Sequence, residues 1–294
     1  MIRRLCIVGV GLIGGSLARA LREAGYCDEV VGSSRQSANL ERAVELGVID
    51  RFDTDIGRAI DGADMIVVCV PMTAMEPVFA AMNGKLAADA VLTDAGSAKR
   101  SVIAAAERAF GTIPDCLVPG HPIAGTEHSG VDASFASLFR DHRVILTPTG
   151  HSDPDAVRRV REMWQVTGAL IDVLAPDYHD EILAATSHAP HLLAYSLVDM
   201  LGQRNERAEF FKFAAGGFRD FTRIASSDPY MWRDICLVNG PAIIATLEKF
   251  GGEVEAMTEA IRRGDGEALF EKFARAKETR DRYVVGSPKP GETD

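Results

Sequence analysis

Close to the start of the chain, Gly9-Val10-Gly11-Leu12-Ile13-Gly14-Gly15-Ser16 lies between two segments of opposite periodicity. Ahead of it, Leu5-Cys6-Ile7-Val8 is a short apolar run of strand type. Behind it, residues 13–24 carry Leu17, Ala18, Ala20 and Leu21 at helical spacing. A strand, a G-x-G-x-x-G turn and a helix in that order form the opening of a βαβ unit that binds a dinucleotide. Gly9 permits the tight turn, Gly11 lets backbone approach a pyrophosphate, and Gly14 lets helix and strand pack closely. The free N–H groups at the helix start, around Leu12 and Ile13, favour the diphosphate. Met1-Ile2-Arg3-Arg4 before an apolar stretch has the outline of a signal peptide. The glycines interrupt that stretch, however, and no small-residue cleavage site ends it.

The rest of the first half continues the alternation. Segments 29–32, 65–70, 90–94, 116–119, 143–146 and 170–174 read as strands; 37–46, 98–109 and 153–166 read as helices, the last capped by Ser152 or Asp153. Met65-Ile66-Val67-Val68-Cys69-Val70 is apolar without a break, as a parallel strand covered on both faces requires. The fold class is therefore α/β, with a doubly wound (Rossmann) parallel sheet over residues 1–175. After Pro176 the strand pattern stops. Segments 178–201, 207–213, 230–250, 254–263 and 265–283 have apolar spacings of three to four, as in Ile182, Ala185, His188, Leu192 and Tyr195. Residues 176–285 are thus an all-helical domain whose long apolar faces need partners, a second subunit among them. Residues 286–294 are a polar Pro/Gly tail with the composition of a disordered segment.

Composition narrows the function. A net charge of −10 argues against a nucleic-acid binder and requires a local cationic site for any anionic substrate. No apolar run approaches membrane-spanning length. The five cysteines are scattered and form no C-x-x-C pair, which fits reduced thiols in a cytoplasmic protein.

Ligands of a doubly wound sheet sit at the carboxyl ends of its strands. Three segments end strands there: Val70-Pro71-Met72, Asp94-Ala95-Gly96-Ser97-Ala98-Lys99 and Gly120-His121-Pro122. They bring Ser97 and His121 to the nicotinamide end of a dinucleotide, where His121 is a candidate acid–base. In the helical half, His188 and His191 stand three apart, a pair that lacks a third ligand and gives no metal site. Arg219 and Arg223 stand four apart, with Arg233 ten beyond Arg223. They form either a salt-bridged surface, Arg219 with Asp220, or a guanidinium fork for a carboxylate. The adenosine end departs from the NAD pattern. An acid is expected about twenty residues past the glycines to bond the ribose 2′-hydroxyl. Ser33, Ser34 and Arg35 stand there instead, and they suit a 2′-phosphate, so NADP is expected ahead of NAD.

Taken together, GVGLIGGS at 9–16, DAGSAK at 94–99, GHPIAGTEHSG at 120–130, TSHAPH at 186–191 and GGFRDFTRIASSDPYMW at 216–232 resemble the prephenate/arogenate dehydrogenases of tyrosine biosynthesis, the cyclohexadienyl type in flavour. The resemblance runs in order over about residues 1–283. It implies oxidative decarboxylation of prephenate or arogenate with hydride transfer to NAD(P)+. It implies His121 as the base for the ring 4-hydroxyl and Ser97 as that hydroxyl's hydrogen-bond partner. His188 is implied to contact the substrate side chain and Arg223 to hold a substrate carboxylate. Gly216 and Trp232 are implied as pocket walls, Thr126 and Glu127 as a polar gate, and the helices as a homodimer interface. Product inhibition by tyrosine is a further expectation, since product resembles substrate. Two other readings stay open. One is a two-domain β-hydroxyacid or imine reductase, although residues 178–201 lack the lysine such enzymes carry. The other is a dinucleotide sensor with a dead site, although Ser97, His121 and Arg223 are all chemically competent.

Overall fold

The computed structural model describes residues 1–126 and 128–285. Glu127 and the tail 286–294, both subjects of expectations above, lie outside the described residues. The strands are β1 (Ile2–Val8), β2 (Cys27–Ser33), β3 (Arg51–Phe52), β4 (Met65–Val68), β5 (Val91–Asp94), β6 (Leu117–Val118), β7 (Gly120–Pro122), β8 (Arg143–Leu146) and β9 (Leu170–Val173). The helices up to the last strand are α1 (Leu12–Glu23), α2 (Ser37–Glu45), α3 (Ile56–Ala59), α4 (Met75–Met82), α5 (Lys99–Phe110) and α6 (Pro154–Val166). They are followed by α7 (Pro176–Leu183), α8 (Ala189–Gly202), α9 (Arg207–Lys212), α10 (Gly216–Thr222), α11 (Pro229–Val238), α12 (Gly240–Arg263) and α13 (Gly266–Arg280).

A six-stranded parallel sheet in the order β3-β2-β1-β4-β5-β6 carries helices on both faces, the doubly wound arrangement the alternation predicts. Its central strands β4 and β5 are buried at every position, which is why their sequences are unbroken in apolarity apart from the Thr93-Asp94 end. One face packs on α1 and α6 through Leu17, Leu21, Val160 and Trp164. The other face packs on α4 and α5, and its core continues without interruption into the helical half through Ala184, Trp232, Ile235 and Ile243. The two halves therefore share a core along the sheet rather than meeting through a linker.

Besides the added β3, α3, α4 and α10, the structure departs from the sequence reading in three expected elements. First, the later strands do not extend the parallel sheet. Pro119 has no N–H to donate, so the β6 ladder ends before it and the chain crosses into a second sheet, β7-β8-β9, with β7 antiparallel to β8. His121 thus sits within a short strand rather than in a strand-ending turn. Second, the expected helix 178–201 is interrupted by a π-turn, Ala184–His188, just ahead of Pro190. The proline ring cannot be accommodated against the carbonyl four residues back in a regular helix, and the wider turn relieves that clash. Third, the expected helices 230–250 and 254–263 break elsewhere. Pro241 ends the first pattern, so α11 stops at Val238; α12 then runs unbroken through Gly251-Gly252 to a left-handed C-cap at Gly264, φ +65°. Asp153, one of the two expected caps, accepts the Asp155 N–H at the start of α6. Among the described residues no helix is long and apolar enough to cross a membrane.

Candidate active site

The glycine cluster resolves into separate demands. Gly9 turns with φ +99°, and a Cβ there would collide with the Cys69 carbonyl. A Cβ at Gly14 would stand 2.5 Å from the Gly9 carbonyl oxygen and 2.7 Å from Ile7 Cγ2, so α1 can lie against β1 only without a side chain. A Cβ at Gly15 would stand 2.9 Å from Ser134 Cβ and Oγ. At Gly11 nothing of the protein lies within 4 Å of a Cβ, so that glycine serves no internal packing, as expected where a ligand's backbone-hugging phosphate would approach. The start of α1 has no side-chain cap and no acid in its first turn, which leaves its N–H groups and positive dipole end to an anion.

At the adenosine end, Ser33 closes β2 with a buried hydroxyl that has no hydrogen-bond partner among the described residues. Ser34 Oγ accepts the Gln36 N–H at 3.2 Å. Arg35 is exposed and makes no ion pair among the described residues. Asp53, which follows the neighbouring strand β3 and donates its N–H to the Gly32 carbonyl, is occupied by Arg58 at 2.7 Å and by the Asp55 N–H at 2.8 Å. Val70 and Pro71 follow β4 at the same edge of the sheet, the Cys69 N–H still bonding the Val8 carbonyl.

The carboxyl end of β5 is an electrostatic knot. Asp94 and Lys99 are both fully buried and pair at 2.5 Å. Asp94 also accepts the N–H groups of Gly96 (2.7 Å) and Gly120 (3.2 Å), and Lys99 Nζ donates as well to the Gly120 carbonyl. Burial pulls the Lys99 ammonium below its ordinary range, and Asp94 opposes that pull. The pair thereby clamps the loop carrying Ser97 to the strand carrying His121. A buried pair this fully bonded is costly to break from one side only.

His121 is half-buried, and its Nδ1 lies 2.9 Å from His179 Nε2. His179 Nδ1 in turn lies 2.8 Å from Asp180 Oδ1. Neither His179 nor Asp180 figures in the sequence reading. A His-Asp pair opening an amphipathic helix carries no local mark of function, and its partner His121 stands 58 residues away. Burial drives the His121 pKa well below the ordinary histidine range, with the neighbouring charges of His179, Lys99 and His188 adding to the shift. It is held neutral, as a base must be.

The opposite wall comes from the helical half. Asn239 donates through Nδ2 to the Asp180 carbonyl at 3.0 Å and stands 3.1 Å from His188 Nδ1. The carbonyl can only accept, so the amide nitrogen points inward, His188 Nδ1 accepts, and Nε2 of the neutral ring carries the proton. Burial pushes His188 down to about 4, so it stands as a neutral donor. His191 Nδ1 donates to the Ser187 carbonyl at 2.8 Å, and its ring stacks on Trp232 at 3.8 Å. Trp232 also meets His188 edge-on at 6.0 Å. Arg223, exposed at the end of α10, is close enough for its charge to depress His191. Asp234 binds Arg233 at 2.7 Å and Thr73 at 2.6 Å, so Arg233 is removed from any fork of guanidiniums. Arg219 is exposed and makes no ion pair among the described residues, with Asp220 or otherwise.

His121, His188 and Trp232, with Arg223 beyond His191, thus come together, and Ser97 lies on the clamped loop beside them. Thr126 is exposed and, among the described residues, bonds within its own loop, to His128. Gly216 opens α10 in an exposed position.

Residues 17–173 match the family model of the prephenate dehydrogenase nucleotide-binding domain, and residues 175–275 that of the prephenate dehydrogenase dimerization domain. The chain is 39% identical over 283 residues to a cyclohexadienyl dehydrogenase of Zymomonas mobilis, covering 95% of each chain. Its fold superimposes with a TM-score of 0.89 on prephenate dehydrogenase from Aquifex aeolicus, solved with hydroxyphenyl propionate and NAD+, at 35% identity over 96% of this chain and 98% of that one. Arogenate dehydrogenase from Synechocystis aligns with a TM-score of 0.81 at 27% identity, covering 96% of this chain and all of the other (100%).

Proposed function

Because the chain belongs to the prephenate dehydrogenase family, we propose that it is an NAD(P)-dependent dehydrogenase that oxidatively decarboxylates prephenate, arogenate or both, on the route to tyrosine. The relatives carry activities of both kinds, prephenate in one and arogenate in another. The observation that carries the reading is a half-buried, neutral imidazole, His121, at the carboxyl edge of a sheet of the dinucleotide-binding type.

Gly9, Gly11 and Gly14 with the N-terminus of α1 would hold the diphosphate of a nicotinamide dinucleotide, which would supply the hydride acceptor. In the substrate, the C4–H bond breaks as hydride leaves and the 4-hydroxyl loses its proton. The bond from C1 to its carboxylate then breaks; CO2 departs and the electron pair restores an aromatic ring. His121 accepts the hydroxyl proton, and Ser97 orients that hydroxyl. His188, a neutral Nε2 donor, meets the side-chain carbonyl or carboxylate of the substrate without adding charge. Arg223 supplies the cation that a chain of net charge −10 must offer a dianionic acid. Trp232 and Gly216 wall the ring, and Thr126 serves as a polar gate.

For the cofactor, the exposed Arg35, the orphan hydroxyl of Ser33 and the prior engagement of Asp53 favour a 2′-phosphate, hence NADP. The Aquifex relative was solved with NAD+, so the choice is open to a direct test. The helical half works as a homodimer: Leu237, Ile261 and Phe270 are 66–70% exposed, apolar area that a second copy would cover. Tyrosine competes at the substrate site, and the five free thiols suit the cytoplasm.

The test is a two-by-two assay of prephenate and arogenate with NAD+ and NADP+, repeated on Arg35→Ala and with added tyrosine. Turnover with neither substrate would end the assignment. Preference for NAD+, unchanged in Arg35→Ala, would reverse the cofactor reading alone. Slopes insensitive to tyrosine would remove the inhibition.

A further inference from the structure

His179 and Asp180 open a question that the base assignment leaves unanswered: which nitrogen of His121 takes the proton. His179 is completely buried and Asp180 nearly so, at 2% exposure. The Asp180 carboxylate accepts three hydrogen bonds, from the N–H groups of Lys99 (2.7 Å) and Arg100 (3.0 Å) and from His179 Nδ1 (2.8 Å). Burial alone would raise its pKa; the bonds from His179 and the two backbone N–H groups outweigh that and hold the carboxyl ionised. An ionised carboxylate is an acceptor only, so the proton of His179 must be on Nδ1. His179 is itself kept below the ordinary range by burial and is neutral, so its Nε2 is a bare lone pair. That lone pair faces His121 Nδ1 at 2.9 Å, and two lone pairs cannot meet at that distance. His121 therefore carries its proton on Nδ1.

We propose that Asp180 and His179 are positioning residues that lock His121 in its Nδ1–H tautomer and so make Nε2 the atom that receives the substrate's hydroxyl proton. The inference rests on the reading of His121 as the base. The relay works at both ends of the transfer. Before it, the lock keeps a lone pair on Nε2 rather than an N–H that would repel the incoming hydroxyl proton. After it, the His121 imidazolium still donates through Nδ1 to His179, now as a charge-assisted bond, with the Asp180 charge offsetting the Lys99 ammonium. The same carboxylate caps α5, whose own N-cap residue, Ala98, has no side chain to do so. One buried side chain from α7 thereby ties the tautomer of the base to the loop that carries Ser97.

The relay predicts how each variant shifts the ring. In Asp180→Asn, an amide N–H can face His179 Nδ1, which inverts both tautomers and leaves His121 as an Nε2–H donor, the wrong form for a base. His179→Leu removes the acceptor and frees the ring to adopt either tautomer. His179→Gln restores an acceptor oxygen for Nδ1–H.

The experiment is 15N NMR of histidine-labelled protein, with the His121 signals identified by their loss in His121→Asn, read alongside steady-state kinetics. In the wild type, His121 Nε2 is expected to be unprotonated. In Asp180→Asn and His179→Leu it is expected to become protonated in whole or part, while kcat falls by roughly 10²–10⁴, the usual worth of a general base. KM for prephenate should hold, and His179→Gln should recover part of kcat. Because Asp180→Asn also weakens the α5 cap, the His179 pair carries the test if that variant does not fold. An unprotonated Nε2 and near-normal kcat in His179→Leu would overturn the relay. Normal turnover in His121→Asn would instead overturn the base assignment beneath it.

Discussion

The two walls of the cleft are built on opposite plans. On the sheet side, Asp94, Lys99, the Gly120 backbone and His121, reached through His179 and Asp180, form one bonded chain in which every charged member is buried and answered. On the helical side, His188 and His191 each have one ring nitrogen engaged, Trp232 has a buried N–H with no partner among the described residues, and Arg223 is exposed. The first wall is finished before anything binds; the second keeps donors in reserve. That is the division expected when one side must hold a reacting group in a fixed orientation and protonation state while the other must satisfy the charges of a ligand.

If the division holds, disturbing the first wall should cost turnover and folding, and disturbing the second should cost affinity. The largest effect is expected for His121→Asn, with kcat lowered by roughly 10²–10⁴ and cofactor binding retained. Cofactor fluorescence titration beside the assay checks both halves, and a variant that turns over normally would dissolve the distinction. Next, Lys99→Met strands the Asp94 charge in the core and should destabilise the protein by about 3–5 kcal/mol, measured by urea unfolding at neutral pH. A loss under about 1 kcal/mol would mean that the knot is solvated rather than buried.

Acid should then act on both walls at once. Unfolded histidines take up protons below about pH 6.5, whereas burial holds His188 neutral down to about 4, and His121 is displaced in the same direction. The unfolded state therefore binds more protons across that window. Stability should fall as pH drops from about 6.5 to about 4, by roughly 3 kcal/mol from His188 alone. Urea midpoints that stay constant across that range would contradict the burial of these rings. The smallest effect sharpens the second wall. Arg223→Ala should raise KM for prephenate by roughly 10- to 150-fold, the worth of one charged hydrogen bond, with a smaller change in kcat and none in cofactor affinity. An equal fall in kcat would move Arg223 to the catalytic side.

Much of this was legible before any coordinates. The G-x-G-x-x-G turn between β1 and α1, the apolar β4 and the helical spacing beyond Pro176 are local patterns, and local patterns survive into the fold. His121, His188 and Trp232 were nameable because they sit in motifs with recognisable neighbours. His179 and Asp180 were not. Asp180 acts on Lys99 and Arg100, 80 to 81 residues away, and on His179 next to it; nothing in Asp177-Tyr178-His179-Asp180 distinguishes it from any acidic first turn. The second sheet was hidden for a similar reason, since β7, β8 and β9 each read as an acceptable strand and only Pro119 marks where one ladder must stop.

The amino-acid sequence alone determined which elements form and which chemical groups the molecule owns, because helix, strand and turn respond to spacing within a few residues. Tertiary structure alone decided the protonation of those groups. Whether His121 offers a lone pair and His188 a proton depends on what stands against the far nitrogen of each ring: His179 in one case, Asn239 in the other. Those partners come from α7 and from the junction of α11 and α12, and only the packing of the helices onto the sheet puts them within hydrogen-bond distance.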